Sequence, residues 1–190
     1  MNVTEAITKR RTIRKFSQQP LKSEMLKKYV DAARVAPSAA NLQPLKYVTV
    51  TKRDMTDKVF ETLKWAGYLK GEYTPKENER PTGYIVVCVD SNISHANYDI
   101  DVGAAVEHMI LSALEDEVGA CWLGSVERPR LKRLLGLSAN LEISCVVALG
   151  YPLESPQAVQ MDGQDVKYYL DGDVLKVPKR TIDEILILQI

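Results

Sequence analysis

A chain of 190 residues can bury a sizeable core as one domain, or as one domain with an appended arm. Its 25 basic residues are matched by 25 acidic ones, and zero net charge argues against the broad basic surface of a general nucleic-acid binder. No apolar signal core opens the chain, and the longest uncharged run, Ile143 to Leu153, is too short to cross a bilayer, so we expect a cytoplasmic protein with no membrane and no nucleic-acid partner.

In chain order, Asn2 followed three residues later by Glu5 has the form of a capping box, and Val3 and Ile7 sit one turn apart on the short helix it opens. That helix delivers Arg10-Arg11-Thr12-Ile13-Arg14-Lys15-Phe16, in which five of seven side chains can donate to an anion. Guanidinium groups fork onto phosphate oxygens and a threonine hydroxyl adds a neutral donor; a solvated basic face is the competing account. Ser23 is placed as the cap of a second helix with Met25, Leu26, Tyr29, Val30 and Ala33 on one side. The loop Pro37-Ser38-Ala39-Ala40-Asn41-Leu42-Gln43-Pro44 sets a hydroxyl and two carboxamides between prolines, a donor and acceptor set suited to a heteroaromatic edge or to an ordinary turn.

Tyr47 to Thr51 reads as a strand, and Asp54 as the cap of a helix with Met55, Val59 and Leu63 on one face. Trp65 to Thr82 reads as a long irregular excursion, a lid or a surface loop without a role, with Trp65 and Tyr68 as the lid residues. Ile85 to Val89 is a strand buried on both faces, and Tyr98 to Val118 the longest helix, stopped by Gly119. Ala120 to Ser125 is a short strand running into Gly124, where a flat ligand could lie on the backbone or the chain could simply turn. Pro129 and Gly136 bracket a short helix, and Leu141 to Leu149 is a further buried strand. Val166 to Leu170, Asp171-Gly172 and Val174 to Val177 read as a hairpin delivering Lys179 and Arg180, with Thr181 and Glu184 capping a last helix.

Cys88, Cys121 and Cys145 each lie in an apolar run and are expected to be buried and reduced. The two histidines lack metal-ligand spacing, and no G-x-G-x-x-G, P-loop or nucleophile elbow occurs, so the expectation is that any reaction is carried by a cofactor and that there is no metal centre.

R-R-T-I-R-K-F, P-S-A-A-N-L-Q-P before a strand, the long helix leading to G-A-C-W-L-G, G-Y-P after a buried strand and the late V-P-K-R together resemble the nitroreductase family from about Thr4 to Glu184. The resemblance implies an α+β, three-layer fold, a mixed and mainly antiparallel sheet flanked by helices. It also implies one FMN-binding domain over residues 1–190, with a C-terminal hairpin and arm from about 164, and a homodimer whose subunits exchange arms and share two FMN sites. By resemblance, Arg10, Arg11 and Thr12 would hold the FMN phosphate and Arg14 would reach the pyrimidine side of the flavin. Pro37, Ser38, Asn41 and Gln43 would come from the opposite subunit. Leu123 and Gly124 would face the flavin N5 region, and Lys179 or Arg180 would complete the clamp. The implied activity is a ping-pong transfer of two electrons from NADH or NADPH through FMN to a small-molecule acceptor such as a nitroaromatic or quinone, with no general acid or base among the side chains. The alternative is an FMN-binding module for flavin storage, sensing or processing, without nicotinamide turnover.

Overall fold

The computed structural model describes residues 1–69 and 73–190. Four strands, β1 (Leu45–Val50), β2 (Gly83–Asp90), β3 (Gly119–Leu123) and β4 (Leu141–Gly150), form an antiparallel sheet in the order β1-β2-β4-β3. Successive side chains of a strand point to opposite faces, so the continuous apolar run of β2 supplies two cores at once. Ile85 and Val87 face one side, Tyr84, Val86 and Cys88 the other, and all five are buried. A bulge adjusts β4 to this pattern: Val87 stands opposite Cys145 but Cys88 stands opposite Ile143, with Ser144 as the extra residue.

Helices cover both faces. α1 (Val3–Lys9), α2 (Ser23–Arg34), α3 (Arg53–Phe60), α4 (Tyr98–Glu115) and α5 (Arg128–Leu134) precede or intervene between the strands. α2 and α4 pack on the Ile85 side through Leu26, Tyr29, Val102, Val106 and Met109, while α3 and α5 cover the Val86 side through Val59, Phe60 and Leu131. The result is the α+β, three-layer arrangement expected from the sequence. Cys88, Cys121 and Cys145 are buried and free.

Beyond the main sheet, β5 (Gln157–Gln160), β6 (Tyr169–Asp171) and β7 (Val174–Lys179) make a small sheet ordered β5-β7-β6. The expected hairpin is β6 and β7 turning at Gly172, whose φ of 59° suits glycine. The parallel pairing of β5 with β7 was not foreseen. Thr181 and Glu184 do form a capping box, but the helix they open, α6 (Ile182–Ile185), is a single turn. Leu186 to Leu188 beyond it are exposed, Ile187 to 95%.

Three sequence assignments change. Lys22 and Lys52, rather than Ser23 and Asp54, occupy the cap positions of α2 and α3; Ser23 donates instead to the Glu24 carboxylate, and Leu63 lies past α3, bridging to Val126. Trp65 is a core residue stacked on Phe60 at 5.5 Å, so it is no lid residue. Residues 70–72 of the 65–82 excursion lie outside the described residues.

The third change concerns Gly119. α4 ends four residues before it, at Glu115, in a Schellman motif: Glu117 takes the left-handed position (φ 60°), Val118 N–H donates to Ala113 O at 3.0 Å and Glu117 N–H to Leu114 O at 3.1 Å. Gly119 is required for packing. A Cβ there would lie 2.7 Å from Ile13 Cγ1 and 2.9 Å from Ile13 Cβ. Its register partner Gly150 is constrained alike, since a Cβ would lie 2.9 Å from Phe16 Cδ1. The paired glycines form a floor on which Ile13 and Phe16 rest. Gly119→Ala is therefore expected to cost about 1–3 kcal/mol in urea unfolding, the usual range for overpacking, because the main-chain-proximal Ile13 Cβ cannot rotate away.

Candidate functional site

Seating Ile13 and Phe16 on that floor aims the intervening cations outward. Thr12 makes a parallel bridge to Ala120, with Ile13 N–H donating to Ala120 O at 2.9 Å, and Phe16 bridges antiparallel to Pro152. The arginine stretch thus meets the edge strand β3 at Ala120 and passes on to the segment that follows β4, with Ile13 and Phe16 buried and Arg10, Arg11, Thr12 and Arg14 half-buried. Thr12 lies beside the strand that ends at Leu123 and is followed by Gly124. Four residue steps lead from Ala120 to Gly124, about 13 Å of extended chain.

The arginines each have a defined neighbour. Arg10 Nε is 3.2 Å from Glu107 on α4. Arg11 turns back over the end of α1, donating from Nη2 to Thr8 O at 2.8 Å and from Nη1 to Arg10 O. Burial and then the neighbouring Arg10 cation lower its pKa from the ordinary guanidinium value. A guanidinium has five donors, so Arg11 retains capacity for an anion. Arg14 lies over the Tyr168 ring at 4.7 Å, which brings the segment before β6 to the same edge. Lys179 and Arg180, at the end of β7, are exposed, and Arg180 pairs with Glu184 at 3.6 Å.

Glu154 is one of two residues that sequence reasoning missed, Asp101 below being the other. Its Oε1 accepts the backbone N–H groups of both Arg14 and Lys15, the latter at 3.1 Å, and its Oε2 accepts from the Tyr73 hydroxyl. The antiparallel pairing of Phe16 with Pro152 carries this consequence, since in that register Arg14 faces Glu154. Nothing local to either residue signals a contact 140 positions apart in the chain.

Pro37, Ser38, Asn41 and Gln43 lie elsewhere. Ala40, Asn41 and Gln43 all have positive φ (50°, 56° and 51°), an arrangement that costs about 1–3 kcal/mol per residue and persists only when its surroundings enforce it. The enforcing group is Asp101 in the first turn of α4, 3% exposed. It accepts from the Ser38 hydroxyl and, at 3.0 Å, from Ala39 N–H, while Ser38 Oγ in turn accepts from Gln43 N–H at 2.9 Å. A cavity of about 250 Å³ beside the loop is lined by Pro37, Ser38, Gln43, Tyr47 and Asp101, with none of Arg10, Arg11, Thr12 or Arg14 among its walls. Burial pushes the Tyr47 phenol up to about 12, so it is a hydrogen-bond donor at neutral pH. Within one chain, then, the two groups of residues form separate surfaces, both touching α4, whose Asp101 and Glu107 are about 9 Å apart along the axis.

Leu123 is buried and Gly124 exposed. Gly124 has no positive φ, and a Cβ on it would meet nothing of this chain within 4 Å. Neither backbone strain nor packing among the described residues demands that glycine, so the space beside it is open, while its carbonyl accepts from Arg128 Nη2 at 3.2 Å.

Residues 7–151 match the sequence model of the Nitroreductase family. The chain belongs to the nitroreductase family. A provisionally named NADH dehydrogenase/NAD(P)H nitroreductase of Archaeoglobus fulgidus is 34% identical over 160 residues, covering 80% of this chain and 87% of its own. Among solved nitroreductase structures, one from Clostridium novyi NT is 28% identical with a TM-score of 0.69, covering 82% of this chain and 87% of that one. Another, a nitroreductase from Desulfovibrio desulfuricans solved in complex with FMN, has the same fold at a TM-score of 0.69 and 24% identity, covering 85% and 92% of the two chains. As a nitroreductase the protein is an oxidoreductase. No described helix is long and apolar enough to cross a membrane.

Proposed function

We propose that this nitroreductase binds FMN and passes two electrons from NADH or NADPH to a small organic acceptor, a nitroaromatic or quinone, in the cytoplasm. The observation that carries the reading is the bridge of Thr12, directly after Arg10 and Arg11, to Ala120 of the strand that ends at Leu123, with the open Gly124 next in the chain. About 13 Å of extended chain separates the Thr12 bridge from Gly124. Bound FMN supplies the two-electron relay; the chain's task is to hold and orient it.

Arg10, Arg11 and Thr12 would take the phosphate, with Lys179 or Arg180 closing the clamp. The ion pair of Arg10 with Glu107 is partly exposed and worth about 1 kcal/mol, less than charge-assisted bonds to a phosphate dianion, so it would yield to the ligand. Arg14 would favour negative charge on the pyrimidine side. With no second nucleotide-binding motif, donor and acceptor would use the flavin face in turn, which is ping-pong behaviour. Pro37, Ser38, Asn41 and Gln43 would reach the flavin of a second subunit, which fits their distance from Arg10 within one chain. It also fits the exposure of Val3 (72%) and Ile7 (55%) on α1 and of the apolar tail from Leu186, faces that an arm-exchanged homodimer would cover.

The deciding experiment is an anaerobic absorbance spectrum before and after NADH and then NADPH. A flavin band that bleaches supports the oxidoreductase; a retained band that stays yellow favours an FMN-binding module. Arg10→Ala is expected to weaken FMN binding about tenfold, roughly 1.4 kcal/mol, in a fluorescence titration, since one charge-assisted contact is lost and part of it is offset by the released Glu107 pair. Unchanged affinity would remove Arg10 from the clamp. Dilution until the dimer dissociates is expected to release FMN in step, as followed by size-exclusion chromatography with absorbance at the flavin band. A monomer that stays yellow would refute a shared site.

A further inference from the structure

We propose that Glu154 is a positioning residue for the flavin: it fixes Arg14 from behind and, through Tyr73, ties that arginine to the 65–82 segment. The inference rests on the FMN reading above and adds a residue to it.

The geometry is unusual for a structural carboxylate. Successive N–H groups of an extended strand point to opposite sides, yet those of Arg14 and Lys15 converge on one oxygen of Glu154. The backbone must turn at this point, and it turns around the carboxylate. Arg14's side chain departs from that turn, so the direction in which its guanidinium leaves the strand is set by Glu154.

The other oxygen is held as firmly. Tyr73, 4% exposed, donates its hydroxyl to Oε2, and burial, then this hydrogen bond and the Glu154 charge, raise the phenol's pKa, so it remains a donor. Lys15 Nζ lies over the same tyrosine ring at 4.6 Å and 3.9 Å from Glu79. On the solvent side the Arg14 guanidinium rests on Tyr168, whose ring is 5.0 Å from that of Tyr68. Arg14 is thus clamped at its backbone through Tyr73 and at its head beside Tyr68, and both tyrosines belong to the excursion. That excursion acts on the site by holding an arginine.

The test compares FMN-loaded wild type, Glu154→Ala and Glu154→Gln, each with and without Arg14→Ala, by FMN titration and by dye-equilibrated measurement of the flavin midpoint potential. Glu154→Ala is expected to raise the FMN Kd about tenfold, the scale of lost charge-assisted hydrogen bonds, and to shift the potential negative, because a displaced cation no longer stabilises charge on the reduced ring. Both shifts should vanish in the Arg14→Ala background. Glu154→Gln keeps an oxygen for the two N–H groups and should stay within about threefold of wild type. If Glu154→Ala does not fold, Tyr73→Phe takes its place: it keeps the ring under Lys15, frees Oε2, and should shift the potential in the same direction only when Arg14 is present. A wild-type potential in the folded variant, or an equal shift with and without Arg14, would overturn the proposal. A wild-type protein that takes up no FMN would instead remove the reading beneath it.

Discussion

Replacing Phe16 by alanine is expected to lower the unfolding free energy by about 3–5 kcal/mol, the range for truncating a buried aromatic side chain. Phe16 is fully buried, rests on Gly150 and lies where the arginine stretch is fastened, with its N–H donating to Glu79 O at 2.9 Å and Ser17 N–H to Tyr151 O at 2.8 Å. A cavity there has glycine on one side, so no neighbouring Cβ can move in to fill it. Loss of the ring should also loosen Arg10 to Arg14, so the folded fraction should retain less FMN. Urea unfolding followed by circular dichroism measures the first effect, and flavin content per folded protein the second. A variant that loses stability but keeps its full flavin complement would show that Phe16 supports the core without seating the cations.

Asp101→Ala is expected to cost about 3 kcal/mol or more, since two hydrogen bonds to an ionised acceptor, each worth about 1.5–3 kcal/mol, disappear and leave the Ser38 hydroxyl and Ala39 N–H without their partner. The loop they hold has three non-glycine residues with positive φ, and without Asp101 it should relax toward ordinary backbone conformations. Asp101→Asn keeps one acceptor oxygen and should lose less. Thermal unfolding of the two variants checks the order. In the shared-site arrangement the alanine variant should also release FMN while its own Arg10 and Arg11 remain intact. Equal stability of wild type and Asp101→Ala would mean that the loop is held by its prolines instead.

Periodicity and the capping boxes were legible in the sequence because they depend on neighbours three or four residues away, whereas the single-residue caps at Ser23 and Asp54 were misplaced by one and two positions. The spacing of Leu26, Tyr29 and Ala33 marked the buried side of α2, and the two capping boxes, Asn2 with Glu5 and Thr181 with Glu184, are formed as read. The continuous run from Ile85 to Val89 marked a strand covered on both faces. Gly119 was misread because a glycine after a helix has two physical uses, as a left-handed cap and as space for another side chain, and only the position of Ile13 decides between them. Asp101 and Glu154 were passed over for a related reason. A buried carboxylate is recognisable by the donors around it, and here the donors come from Ala39 and Arg14, 62 and 140 residues away. The phosphate and flavin contacts were readable only through the family resemblance.

The three buried cysteines equip this fold with an unengineered clock. Cys88, Cys121 and Cys145 lie one each in β2, β3 and β4, and burial holds their thiols at about 11, 12 and 11, far from the thiolate that an alkylating reagent needs. Labelling must await separation of the strands, so the rate at which iodoacetamide mass is gained times the opening of the sheet itself. Because the three sites sit on adjacent strands, mass spectrometry of partly labelled chains distinguishes an edge that peels at β3 from a sheet that opens all at once.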